Sequence, residues 1–200
     1  MISKYYEINK HKDKINFYLF YGENEGLKLD TIKANFNNFT KENTYKYSEK
    51  DIIQNKQLIF EKIYSRSFFE NEKLILISDI TEKSFEFIEE VKNSNISDVI
   101  IILLANKLEK KSKIRNFFEK DKEILIIPFY EDTVQTLITI GKKILNDNKV
   151  NLSQENLNLI IERCQGNRIN LRNELEKILS LGKNKICGSP FAEVSVNNFV

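Results

Sequence analysis

Histidine, cysteine and arginine are all scarce in this chain of 200 residues, which holds one histidine, His11, two cysteines, Cys164 and Cys187, and five arginines. The cysteines stand far apart without ligand-spaced partners, so a zinc site and a disulfide framework both drop out. His11 lies in a lysine-rich segment outside every predicted element, and no Ser/His or Cys/His pair can be assembled around it. No apolar run approaches the roughly 18 to 20 residues of a spanning helix, so membrane insertion is not expected and no membrane partner is implied. The first residues, Met1 to Tyr6, lack the apolar stretch followed by small residues that marks secretion, so a cytoplasmic location is expected. An excess of one charge is missing too: 31 basic against 29 acidic residues leave a net charge of +2, and overall charge does not announce a nucleic-acid binder. The crowding of Lys, Asn and Ile looks like a nucleotide-composition effect on the coding sequence, so single lysine clusters carry little weight.

What is present is enough chain to bury a core in one domain or two small ones, and an alternation of strand and helix signals. Asn16 to Tyr21 is a short apolar and aromatic run stopped by Gly22, which predicts a buried strand. After the turn Gly22-Glu23-Asn24-Glu25-Gly26, Leu29, Ile32, Phe36 and Phe39 recur at three- and four-residue spacing and predict a helix. A second helix is expected after Ser48, which can cap it, with Ile52, Ile53, Phe60 and Ile63 on the buried side. Leu74 to Ile77, Val99 to Leu104, and Ile124 to Ile127 closed by Pro128 are continuous apolar runs. Strands apolar on both faces imply a sheet covered on both faces by helices. From Thr133 onward helical periodicity takes over. Val134, Leu137, Ile138 and Leu145 form one stripe. Ser153 caps a helix carrying Leu157, Ile160, Ile161 and Cys164, which Gly166 ends, and a third helix carries Leu171, Leu175, Ile178 and Leu179 and stops at Gly182. The expected organisation is an α/β domain with a mostly parallel sheet over 1–132, a small all-helical domain over 133–183, and an irregular tail over 184–200.

The turn from Gly22 to Lys28 sits between the first strand and the first helix, where a phosphate-binding loop would lie. Such a loop needs G-x-x-x-x-G-K-[ST], so that backbone amides cradle the phosphates, the Lys neutralises them and a hydroxyl holds magnesium. Here the glycines stand one residue too close, Leu27 precedes Lys28, Leu29 replaces the hydroxyl, and Glu23 and Glu25 bring negative charge. The turn therefore reads as structural, without a bound cofactor. Asp79 ends an apolar strand as a magnesium-binding acid would, but lacks an adjacent second carboxylate, and a helix-capping role fits it better. Cys164 lies on an apolar stripe and reads as a small core residue. Glu89 and Glu90 fall on a solvated helix face.

Two further segments are informative. Ser65 to Lys73 places Phe68 and Phe69 side by side in a polar stretch, where adjacent side chains cannot easily face one core. They are either a plug beneath the second helix or an exposed aromatic anchor for a partner's pocket. Lys107 to Phe118 is basic after a buried strand. Its charge suits DNA phosphates or a solvated helix face, and Phe117 and Phe118 read mainly as core.

In their order and spacing, five stretches resemble the delta subunit of bacterial DNA polymerase III, the clamp-loader subunit that opens the sliding clamp. They are Tyr18-Leu19-Phe20-Tyr21-Gly22-Glu23; Ser67-Phe68-Phe69 followed by Leu74-Ile75-Leu76-Ile77; Leu103 to Arg115; Pro128-Phe129-Tyr130-Glu131-Asp132; and Gly166-Asn167-Arg168 with Asn173-Glu174-Leu175-Glu176-Lys177. The likeness covers about residues 15 to 180. It implies an AAA+-like (P-loop-type) domain whose phosphate loop has lost its nucleotide chemistry, followed by a lid-type helical domain. It also implies a role in DNA replication within a DNA-directed DNA polymerase (nucleotidyltransferase) complex, with no catalytic site of the chain's own. The implied partners are the sliding clamp (beta), the other loader subunits (gamma/tau and delta prime), and DNA through the assembled loader. The family's hydrophobic wedge after the second helix enters a pocket on the clamp. Ser67, Phe68 and Phe69 match it, while Arg66 stands where another apolar residue is expected. The family continues into a C-terminal helical collar, and this sequence reads as a member lacking it. The alternatives from other classes are an ATP-hydrolysing AAA+ protein and a generic DNA-binding domain.

Overall fold

The computed structural model describes residues 1–65, 72–94, 96 and 98–185, with side chains through residue 180. Five strands, β1 (Phe17–Tyr21), β2 (Thr44–Ser48), β3 (Lys73–Ser78), β4 (Val99–Ala105) and β5 (Leu125–Pro128), form one sheet in the order β2-β3-β4-β1-β5. Every neighbouring pair is parallel, with Tyr18 opposite Ile102 on one side and Leu125 on the other. The connections carry helices α1 (Glu25–Asn35), α2 (Glu49–Tyr64), α3 (Phe85–Asn93) and α4 (Lys113–Lys120), as parallel strands require. Helices α5 (Val134–Asp147), α6 (Gln154–Cys164) and α7 (Arg168–Lys185) follow. The chain divides into two compact units: Met1–Glu23 with Lys28–Phe129, and Asn24–Leu27 with Tyr130 onward.

In the first unit, β1 is buried along its whole length because its side chains serve two layers. Phe17, Leu19 and Tyr21 join Ile75, Ile101 and Phe118 in one core. Tyr18 and Phe20 point the other way, the Tyr18 ring edge-on to Phe36 at 5.6 Å and the Phe20 ring 4.9 Å from Phe129. Each ring buried in this way contributes on the order of 2 kcal/mol. The Tyr18 hydroxyl donates to the Ile15 carbonyl, and burial holds its phenol well above the ordinary tyrosine range. In the second unit Leu137, Leu145, Leu157, Ile161, Cys164, Leu171 and Leu175 of α5, α6 and α7 form a separate core.

The expected strands and the three C-terminal helices are present, with several corrections. β2 is an additional strand. It lies at the sheet edge with Tyr45 and Tyr47 half-buried, so it shows no continuous apolar run. Of the stripe expected for α1, Ile32 and Phe36 are buried, but Leu29 is not. Leu29 is 55% exposed, Leu27, Lys28, Thr31 and Ile32 face inward, and Phe36 and Phe39 lie past the helix end at Asn35. In α2 the buried side is Ile52, Ile59 and Ile63, which leaves Ile53 a step of about 100° off that face and largely exposed. Val134 is exposed at the first position of α5. The left-handed end of α6 begins at Gln165 (φ 47°), one residue before Gly166 (φ 76°). Helix α7 runs through Gly182, since a helical glycine costs about 1 kcal/mol and does not by itself stop a helix. Ser153 caps α6 as expected, accepting from the Asn156 amide at 3.2 Å.

Candidate functional site

In open parallel sheets ligands bind outside the carboxyl ends of the strands, which here are the chain after Tyr21, Ser48, Ser78, Ala105 and Pro128. The turn after β1 is the one a nucleotide phosphate would occupy. Gly22 holds φ +126°, and a Cβ there would lie 2.1 Å from the Phe129 carbonyl oxygen, so only glycine fits. Its amide donates to both the Ala105 and Asn106 carbonyls at 3.2 Å. Lys28 is fully buried, and its ammonium donates to the Ala105 carbonyl at 2.8 Å. The amide that would cradle a phosphate and the lysine that would neutralise it are thus bonded to main-chain carbonyls of the first unit.

The remaining turn residues belong to the second unit, where they meet a buried ion pair. Asn24 accepts from the Leu27 amide at 3.0 Å, capping the start of α1, and its side-chain amide donates to the Tyr130 carbonyl at 2.9 Å and the Asp132 carboxylate at 3.0 Å. Arg168 grips the same carboxylate with two nitrogens, Nε to Oδ2 at 2.7 Å and Nη2 to Oδ1. A Cβ on Gly26 would come within 2.4 Å of the Arg168 side chain. Asp132, Arg168 and Asn24 therefore form one charge-assisted network around the first turn of α1. Asp132 and Arg168 both fall in stretches that carry the resemblance, but neither stands out in the sequence as a site residue. They stand 36 residues apart, so only a sense of which loops meet could have paired them.

The other expected residues sit as follows. Asp79 does not cap a helix. It is exposed in the left-handed region at φ 60° and accepts from the Ser78 hydroxyl, while Thr81 two residues on caps the short 3-10 helix Glu82–Ser84 and donates to the buried Glu49 carboxylate. Arg115 in the basic segment donates to Glu119 at 2.7 Å and to the Leu108 carbonyl at 3.2 Å, whereas Lys107, Lys110, Lys111 and Lys113 are exposed. Phe118 is fully buried and Phe117 half-buried. Cys164 is buried, and desolvation, then the nearby Glu174 carboxylate, pushes its thiol up. Glu89 and Glu90 are exposed on α3. Arg66, Ser67, Phe68, Phe69, Cys187 and the tail beyond Lys185 lie outside the described residues. Among the described residues no group of three or more His, Cys, Asp or Glu could hold a metal ion, and no helix is long and apolar enough to cross a membrane.

No family model matches the chain, and no curated protein matches it in sequence. Solved structures do match it in fold. The Bacillus subtilis DNA clamp loader delta protein (YqeN) superposes with a TM-score of 0.56 at 14% identity, covering 88% of this chain and 57% of that one. Domain III of the Thermotoga maritima replication initiation protein DnaA gives a TM-score of 0.53 at 15% identity, covering 93% and 84%. A replication initiator DnaA bound to AMPPCP and single-stranded DNA gives 0.54 at 18%, covering 89% and 59%. The chain therefore has the AAA+-like α/β fold of these replication proteins, and it spans a little over half the length of the clamp-loader chain.

Proposed function

We propose that this chain is a non-catalytic, clamp-binding component of a DNA-replication clamp loader, similar to the delta subunit of DNA polymerase III. The observation that carries the reading is the state of the β1–α1 turn. In an AAA+-like fold this turn is where nucleotide chemistry resides, yet here the Gly22 amide, Lys28, Asn24 and the Asp132–Arg168 pair bond to one another or to the backbone. A turn built in that way gives the fold its shape without a nucleotide. The shared fold with the clamp loader delta protein supports the same reading. In this proposal Ser67, Phe68 and Phe69 contact the sliding clamp, the gamma/tau and delta prime subunits are assembly partners, and DNA is met through the assembled loader in the cytoplasm. The domain division at about residue 132, the lid-type role of the second unit and the absence of any cofactor belong to the same proposal.

The experiment is a titration of the purified chain with the sliding clamp of the same organism, run beside an ATP-binding isotherm. Clamp binding in the micromolar range or tighter, with no ATP binding, is expected. Saturable ATP binding with turnover favours the ATP-hydrolysing alternative. DNA affinity that falls steeply with salt and needs no clamp favours the generic DNA-binding one.

A further inference from the structure

The connection from β4 into α4 carries four exposed lysines, Lys107, Lys110, Lys111 and Lys113. Lys111 pairs with Glu109 at 3.0 Å, whereas no acidic side chain among the described residues pairs with the ammonium of Lys107, Lys110 or Lys113. These charges do not serve the nearby fold. Lys113 opens α4, where the helix dipole disfavours a cation, and the first turn of that helix holds no acidic residue. Arg115, by contrast, is engaged: it donates to Glu119 and to the Leu108 carbonyl and lies over the Tyr21 ring at 5.2 Å.

The backbone beneath the lysines is held in place. The Ser112 amide donates to the Glu109 carbonyl at 3.0 Å, closing a turn with Lys110 and Lys111 at its corner. The Asn116 side-chain amide donates to the Lys110 carbonyl at 3.1 Å and the Ser112 carbonyl at 2.8 Å, and the Ser112 hydroxyl accepts from the Arg115 amide at 3.1 Å. From a neighbouring element the Glu82 carboxylate accepts from the Lys113 amide at 3.2 Å. Leu108 and Phe117 are half-buried, and the segment exposes no large apolar or aromatic side chain. A single nucleic-acid strand is held on aromatic platforms and a membrane surface by inserted apolar side chains, and this turn offers neither. Phosphate contacts alone suffice for a duplex.

We propose that Lys107, Lys110 and Lys113 form a sequence-independent contact to the phosphate backbone of duplex DNA. The inference rests on the reading of the chain as a replication component, from which it takes DNA as the polyanion, and it adds a contact made by this chain itself. A turn whose backbone is already ordered loses little freedom on binding, so few charges are enough for a weak but defined contact.

The test titrates a fluorescent duplex of mixed sequence, and the matching single strand, with three proteins: the unmodified chain, Lys107→Ala/Lys110→Ala/Lys113→Ala, and Lys33→Ala/Lys142→Ala/Lys143→Ala. The last removes the same charge at exposed positions elsewhere. Duplex affinity of the unmodified chain should fall about fortyfold between about 50 and 200 mM salt, as three phosphate contacts require, against about a thousandfold or more for a protein making six to ten. The turn variant should bind at least about tenfold more weakly at the lower salt, and the control within about twofold of the unmodified chain. Lys110→Ala alone should reduce the salt slope by about 0.9, and it decides should the triple variant fail to fold: an unchanged slope overturns the contact. Equal losses in the turn variant and the control would trace binding to net charge and overturn it, as would an absence of duplex binding at the lower salt. Tighter binding of the single strand would overturn the duplex assignment. Clamp titration of the same proteins is a separate arm, in which the turn variant should match the unmodified chain. If none of them binds the clamp while the turn variant alone loses the duplex, the clamp reading falls and the DNA contact stands.

Discussion

Arg168 and Asp132 face each other as a two-pronged ion pair, the guanidinium Nε 2.7 Å from the carboxylate, with side chains only 8% and 4% exposed. Asn24 donates to the same carboxylate, so the pair holds the residues that open α1.

A buried pair of this kind is costly to break on one side only, because the remaining charge is left without compensation. Arg168→Met or Asp132→Leu alone should destabilise the protein by about 3 to 5 kcal/mol in urea unfolding. The double variant should be less destabilised than the sum of the singles, since it removes both charges together. Additive losses would show that the two side chains do not depend on each other.

The second prediction concerns nucleotide. Since Lys28 is buried and bonded to the Ala105 carbonyl, Lys28→Met should change stability and leave nucleotide behaviour untouched, with no ATP turnover above background in either protein. A measurable ATPase rate abolished by this substitution would overturn the reading of the turn as structural.

The third is a pH dependence at the start of α2. The Ser48 amide, then the Ser48 hydroxyl, donate to the Asp51 carboxylate, each at 2.7 Å, and hold its carboxyl below the usual range. A depressed carboxylate stabilises the fold at pH values above its unfolded value of about 3.9, and that stability is lost as pH falls through the lower folded value. Asp51→Asn should therefore lower the melting temperature at neutral pH and narrow its gap to the unmodified chain as the pH drops below about 4. Parallel melting curves across that window, with a constant offset, would exclude the linkage.

How far the sequence could be read depended on whether a residue's surroundings are local. β3, β4 and β5 are enclosed on both faces, so their apolar runs reveal them. β2 sits at the edge, where Thr44, Tyr45 and Tyr47 are only half-buried and Lys46 is exposed, and only its pairing with Leu74 to Ser78 marks it as a strand. Part of the buried face of α1 is hidden from a sequence reading because Lys28 and Thr31 take inward positions that their chemistry does not advertise. The Asp132 and Arg168 pairing and the burial of Lys73 come from the packing of distant segments, which no periodicity encodes.

The last prediction separates the two readings of Phe68 and Phe69. If both rings enter a pocket on the clamp, they should behave as interface anchors, which often cost about 2 kcal/mol or more when truncated. Phe68→Ala/Phe69→Ala would then weaken clamp binding by about two orders of magnitude or more, each tenfold step being about 1.4 kcal/mol. The melting temperature would hardly move, because the core around α2 is already supplied by Ile52, Ile59, Ile63 and Phe87. A core plug predicts the reverse, since emptying a buried phenylalanine site costs about 3 to 5 kcal/mol of stability. Clamp titration and thermal melting of the same variant decide between them: a large fall in melting temperature with clamp affinity intact would assign the rings to the core and remove the anchor.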